Sequence, residues 1–70
     1  MAIIKSLSDQ VYEYVFHRIK IGKIAVGDKI DEAELIKELG ISRTPIREAL
    51  IQMTSDNLLE NVPRKGFFVK

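Results

Sequence analysis

Apolar residues recur along this chain at helical spacing three times, and then the spacing shortens. Between Leu7 and Ile21, the positions Leu7, Val11, Tyr14 and Val15 form one stripe, which Tyr12, Phe16 and Ile19 widen to roughly 200° of the wheel. One packing surface needs only about 100°. This first helix therefore either sits at the centre of a small core or docks part of itself on a further domain or subunit. Ser6 or Ser8 caps its start, and Gly22 stops it. A second helix of about nine residues buries Leu35, Ile36 and Leu39; Asp31 and Glu34 open it in a capping-box-like pattern, and Gly40 ends it. In the third, Arg43 to Ser55, the apolar stripe is Ile46, Ala49, Leu50 and Met53. Ser42 stands at its N-cap, and Pro45 falls in the first turn, where a missing N–H costs nothing. After Ser55-Asp56-Asn57, two short segments, Leu58 to Val62 and Phe67 to Lys70, flank Pro63-Arg64-Lys65-Gly66 and predict a hairpin. Gly27-Asp28 marks a turn before Ile30, which starts a very short strand.

Only Gly40 and Ile41 separate the second helix from Ser42, and a short helix, a tight turn and a longer helix make a helix-turn-helix. With the hairpin as a wing, the predicted fold is mainly α with a small β-hairpin, a winged helix-turn-helix occupying residues 1–70 as one domain. Seventy residues bury roughly 60% of the surface of the unfolded chain, so the core is thin. The 46% apolar share, ten isoleucines among it, is enough for such a core without staples. The absence of cysteine removes disulfides and thiolate metal sites and fits a reducing cytoplasmic setting. No apolar run approaches the ~18 residues of a membrane span, and the N-terminus lacks a signal-peptide pattern.

The net charge of +1 says little, but its distribution says more. Asp28, Asp31, Glu32, Glu34 and Glu38 outnumber Lys29 and Lys37, so the second helix is acidic outside and repels phosphate. From Ser42 onward, Arg43, Arg47, Arg64, Lys65 and Lys70 face only Glu48, Asp56 and Glu60. A polyanion would have to meet the second half.

Within that half the decisive cluster is Ser42-Arg43-Thr44-Pro45-Ile46-Arg47. Two arginines four apart near a helix N-terminus oppose the dipole by ~0.3–1 kcal/mol each and repel one another by some tenths more. Sequences break local rules where function requires it. An anion resolves the conflict, because free N–H groups at a helix start attract phosphate, and the Ser42 and Thr44 hydroxyls add donors there. One arginine can pair bidentately with guanine while the other positions the backbone. The alternative is that both are solvated, or that one pairs with Glu48 or Asp56. Arg64-Lys65-Gly66 at the hairpin tip is a second candidate, with Gly66 permitting positive φ and close backbone approach; taken alone it is also an ordinary solvated turn. His17 has no ligand-spaced partner, so no metal site is expected. Ile51, one turn beyond Arg47, faces the first helix, a missing domain, or sugar edges. No serine or threonine has a histidine base in company, and no glycine-rich phosphate loop is present, so neither an enzyme nor a cofactor is expected.

The run Gly-Ile-Ser-Arg-Thr-Pro-Ile-Arg-Glu-Ala-Leu from Gly40 to Leu50 strongly resembles the GntR family of bacterial transcription regulators. Ile19, Gly22, Gly27, Leu35 and the wing Pro63-Arg64-Lys65-Gly66-Phe67-Phe68-Val69 extend the resemblance, the wing looking most like the FadR-type branch. The resemblance implies a dimeric regulator that binds double-stranded DNA at a short palindrome. It implies base or phosphate contacts for Arg43 and Arg47, backbone contacts for Ser42 and Thr44, and minor-groove approach for Gly66. Val26, Ile36 and Asn57 depart from the family pattern at turns and packing positions. Ala33 stands where some members carry a DNA-contacting arginine, so no contact is carried over to the second helix. Family members continue into a domain for effector binding and dimerisation, so this chain is expected to be a piece of a longer regulator that meets its effector elsewhere. The rival reading is a winged-helix protein-interaction module, with the third helix and the wide apolar arc of the first as its contact surface.

Overall fold

The computed structural model describes residues 5–70. Three helices, α1 (Leu7–Lys20), α2 (Glu32–Leu39) and α3 (Arg43–Ser55), precede strands β1 (Leu59–Val62) and β2 (Gly66–Val69). The strands pair antiparallel, with Leu59 opposite Val69 and Val62 opposite Gly66. The segment before α2 adds a minimal third strand. Lys29 bridges to Phe68, and the Ile30 N–H donates to the Phe67 carbonyl at 2.8 Å. This is the predicted winged helix-turn-helix, with α1 ending about a residue early and α2 bounded by Asp31 and Gly40 as expected.

Local chemistry fixes the ends of the helices. At α1, Ser6 rather than Ser8 is the cap, and a reciprocal box joins Ser6 to Asp9. At α2, the Asp31 carboxylate accepts from the Glu34 N–H at 3.0 Å. Helix α1 closes on Gly22 at φ +82°, with the Lys23 N–H reaching the Arg18 carbonyl and the Gly22 N–H that of Ile19. The same paired bonds close α3, from Leu58 to Met53 and from Asn57 to Thr54, around Asn57 at φ +63°. Asparagine tolerates the left-handed region better than other side chains, which is why it can occupy a glycine's place there.

The core follows the predicted stripes. Ile46, Leu50 and Met53 of α3 are fully enclosed by Val11 and Val15 of α1, Leu35 of α2, Ile30, and Leu59, Phe67 and Val69 of the hairpin. Each large side chain removed from water contributes about 1.5–3 kcal/mol. Helix α3 packs against α1, α2 and β1, which makes it the central element and leaves one face of it outward. The wide arc of α1 divides: Tyr12, Tyr14 and Ile19 pack partly against the core, whereas Leu7, Phe16 and Ile21 stay exposed. Phe16 follows Leu7 by about 180° around the helix, so these do not form one patch.

Candidate nucleic-acid interface

Helices α1 and α2 each start with a side-chain cap and an acid in the first turn; α3 has neither. Ser42 occupies the N-cap position with extended backbone, but its hydroxyl makes no capping bond. The first-turn N–H groups of α3 are thus left without a side-chain acceptor, the arrangement that favours an incoming anion. Ser42, Arg43, Thr44 and Arg47 are all exposed, while Pro45 and Ile46 turn inward to anchor the turn that carries them. Ile51 is 54% exposed and lies about 40° around the helix from Arg47, so it belongs to the outer face of α3.

Among the described residues two ion pairs occur, and Arg43, Arg64 and Lys65 take part in neither. Arg47 does not pair with Glu48 or Asp56. Its Nη1 lies 3.8 Å from Oε1 of Glu32, the first residue of α2. That separation is within ion-pair range but too long for a hydrogen bond. The Glu32 oxygen is enclosed and has no hydrogen-bond partner among the described residues. An acceptor left in that condition costs roughly 1–3 kcal/mol. The Arg47 side chain as a whole remains half-exposed.

The wing is built to hold its cations outward. The Lys65 N–H donates to the Val62 carbonyl at 3.0 Å, closing a turn with Pro63 second and Arg64 third. Arg64 adopts φ +66°, where glycine or asparagine is the usual occupant. Gly66 follows at φ +119°. Its conformation favours glycine, and a Cβ there would lie 3.1 Å from Cε of Lys29, whose flexible end would have to shift by a few tenths of an ångström. Lys29, Ile30, Asp31, Glu32, Lys65 and Gly66 line a shallow groove of about 400 Å³ between the start of α2 and the wing.

Reasoning from sequence brought out the arginines and the wing but not Lys29 or Glu32. Nothing in the spacing links either to the site, because their positions arise from the crossing of α2 over α3 and from the third strand. Several polar side chains of α1, by contrast, have partners within the fold. The Tyr12 hydroxyl donates to Asp56 at 2.6 Å, which raises the phenol above its ordinary value. The Tyr14 hydroxyl donates to Glu38 and accepts from Arg18. The bond from Tyr14 holds Glu38 below the ordinary carboxylate value, whereas sharing with Glu38 pushes Glu34 up. At α2 the Asp31 carboxylate accepts the Glu34 N–H but no bond returns from the Asp31 N–H to the Glu34 side chain, so only half of the box that the sequence pattern suggested forms.

Residues 7–69 match the model of the gntR family of bacterial regulatory proteins. The chain belongs to the GntR family. An uncharacterised HTH-type transcriptional regulator of Mycobacterium tuberculosis is 36% identical over 62 residues, 89% of this chain and 25% of the relative. The HTH-type transcriptional regulator McbR of Escherichia coli is 38% identical over 64 residues, 91% of this chain and 29% of its own length. The chain thus spans about a quarter of the length of these GntR-type relatives. The fold superposes with a TM-score of 0.88 on AraR(DBD) in complex with operator ORR3, at 35% identity, covering 100% of this chain and 86% of that one. Among the described residues no helix is long and apolar enough to cross a membrane, and no group of potential metal ligands occurs.

Proposed function

We propose that this GntR-family chain binds double-stranded DNA sequence-specifically as the reading domain of a bacterial transcriptional regulator. In this reading α3 enters the major groove and the wing lies near the minor groove. The observation that carries it is the start of α3: the one helix of the three whose N-terminus is neither capped by a side chain nor followed by an acid carries two exposed arginines. Family membership and the likeness to AraR(DBD), whose structure contains an operator, support the same reading. Arg43 and Arg47 supply base or phosphate contacts, Ser42 and Thr44 bond the backbone, and Arg64, Lys65 and Gly66 approach it from the wing.

A single domain of this type buries roughly 600–1,000 Å² on DNA, too little for tight binding alone. The working unit is accordingly a homodimer of the longer, cytoplasmic protein on a short palindrome, with effector binding outside this chain. The test is to enrich duplexes from a random-sequence pool with the chain and measure binding against salt. Enrichment of a common half-site, with log affinity falling by about 0.9 per phosphate neutralised for each unit of log salt, is the expected result. Salt-independent binding, or no enriched sequence, overturns it.

A further inference from the structure

We infer that Glu32 is a positioning residue that sets the sequence discrimination of this interface by keeping Arg47 away from the phosphate backbone. The inference rests on the reading of α3 as the DNA-facing helix. Near a polyanion, an unrestrained guanidinium is drawn to the nearest phosphate, and such contacts carry no sequence information. Arg47 is not unrestrained. The Glu32 carboxylate stands 3.8 Å from its Nη1, on a separate helix whose N-terminal dipole favours a negative charge there.

Two features make Arg47 the proper object of that carboxylate. Glu32 Oε1 is enclosed and has no hydrogen-bond partner among the described residues, so a base edge in the groove cannot reach it, and Arg47 is its nearby cation. The Arg47 side chain is half-exposed, and only its Nη1 lies near Glu32, which leaves the other guanidinium donors available to a base. Drying of the interface when DNA docks strengthens this attraction, which lets the pair close to hydrogen-bond distance. Glu32 also lines the groove between the start of α2 and the wing, beside Lys29, Asp31 and Lys65. Discrimination then comes from a base-reading cation held in place rather than released to the backbone.

The experiment measures binding of wild type, E32A, R47A and the double variant to two probes. One is a duplex enriched by the wild-type chain from a random pool, and the other is the same duplex shuffled. Thermal unfolding of each variant is followed in parallel, and E32Q, which keeps the shape and removes the charge, serves if E32A does not fold. E32A or E32Q is expected to lower the enriched-to-shuffled ratio about tenfold, largely through tighter binding of the shuffled probe. In the R47A background the same change moves the ratio by less than about twofold. An equal drop in both backgrounds would show that Glu32 acts without Arg47 and overturn the inference, as would no drop in either. If R47A alone leaves the ratio at the wild-type value, Arg47 does not read sequence, and that part of the proposed function falls together with this inference.

Discussion

On the side of the molecule formed by α1, polar side chains find partners within the fold: Tyr12 with Asp56, Tyr14 with Glu38 and Arg18, Ser6 with Asp9. At the start of α3 and along the wing they do not. Ser42 caps nothing, Arg43, Arg64 and Lys65 have no acid, and an enclosed oxygen of Glu32 accepts no bond among the described residues. An enclosed acceptor without a donor and a helix start without a cap are groups that a docking partner can satisfy. The same asymmetry extends to the backbone, since Arg64 holds a positive φ at the wing tip whereas Asn57, at the other non-glycine positive φ, closes a helix.

The contrast can be broken most severely at the open face. Arg43→Ala is expected to weaken binding to an enriched duplex by about 1–3 kcal/mol and to relax preference at one position, with unfolding unchanged. Equal loss on shuffled DNA would reassign Arg43 to phosphate. Gly66→Ala tests the wing's architecture, and should destabilise the fold by about 1–3 kcal/mol in urea titrations through its φ of +119° and the Lys29 stem. Arg64→Gly sharpens the comparison, because it separates stability from function. It relieves the left-handed arginine and should raise stability by about 1 kcal/mol, while lowering DNA affinity on every sequence and reducing the salt slope by about 0.9.

Smaller effects belong to the partnered side. The raised Tyr12 hydroxyl favours its protonated form in the fold. Its contribution is therefore fully present below the ordinary phenol value and is lost as pH rises through the raised one. Tyr12→Phe should remove that part of the alkaline loss, so that its urea midpoint falls less than that of wild type as pH rises above about 10. DNA binding near neutrality should be untouched.

Much of this was legible in the residues. The α3 boundaries follow from Pro45, the i, i+3, i+4, i+7 stripe and the Asp56-Asn57 break, because helix periodicity and capping are local. The exposed arginines followed too, since cations at a helix start violate a local preference that sequence displays. Glu32 and Lys29 could not be found that way. Glu32 reads as an ordinary acid favouring the dipole of α2, and only the packing of α2 on α3 turns it toward Arg47. Lys29 reads as a turn lysine until its bridge to Phe68 lays it over Gly66. The role of Asn57 was visible only as a departure from the family pattern, and its φ of +63° shows that it closes α3 in a left-handed conformation.

The central claim is that the open face is the one that meets DNA, and backbone amide shifts during titration with an enriched duplex test it directly. The account predicts that Ser42 to Arg47 and Arg64 to Gly66 move at the first additions, while the amides around Tyr12, Phe16 and Ile21 stay still. Shifts centred on α1, with the start of α3 unmoved, would contradict it and make this domain a protein-docking module instead.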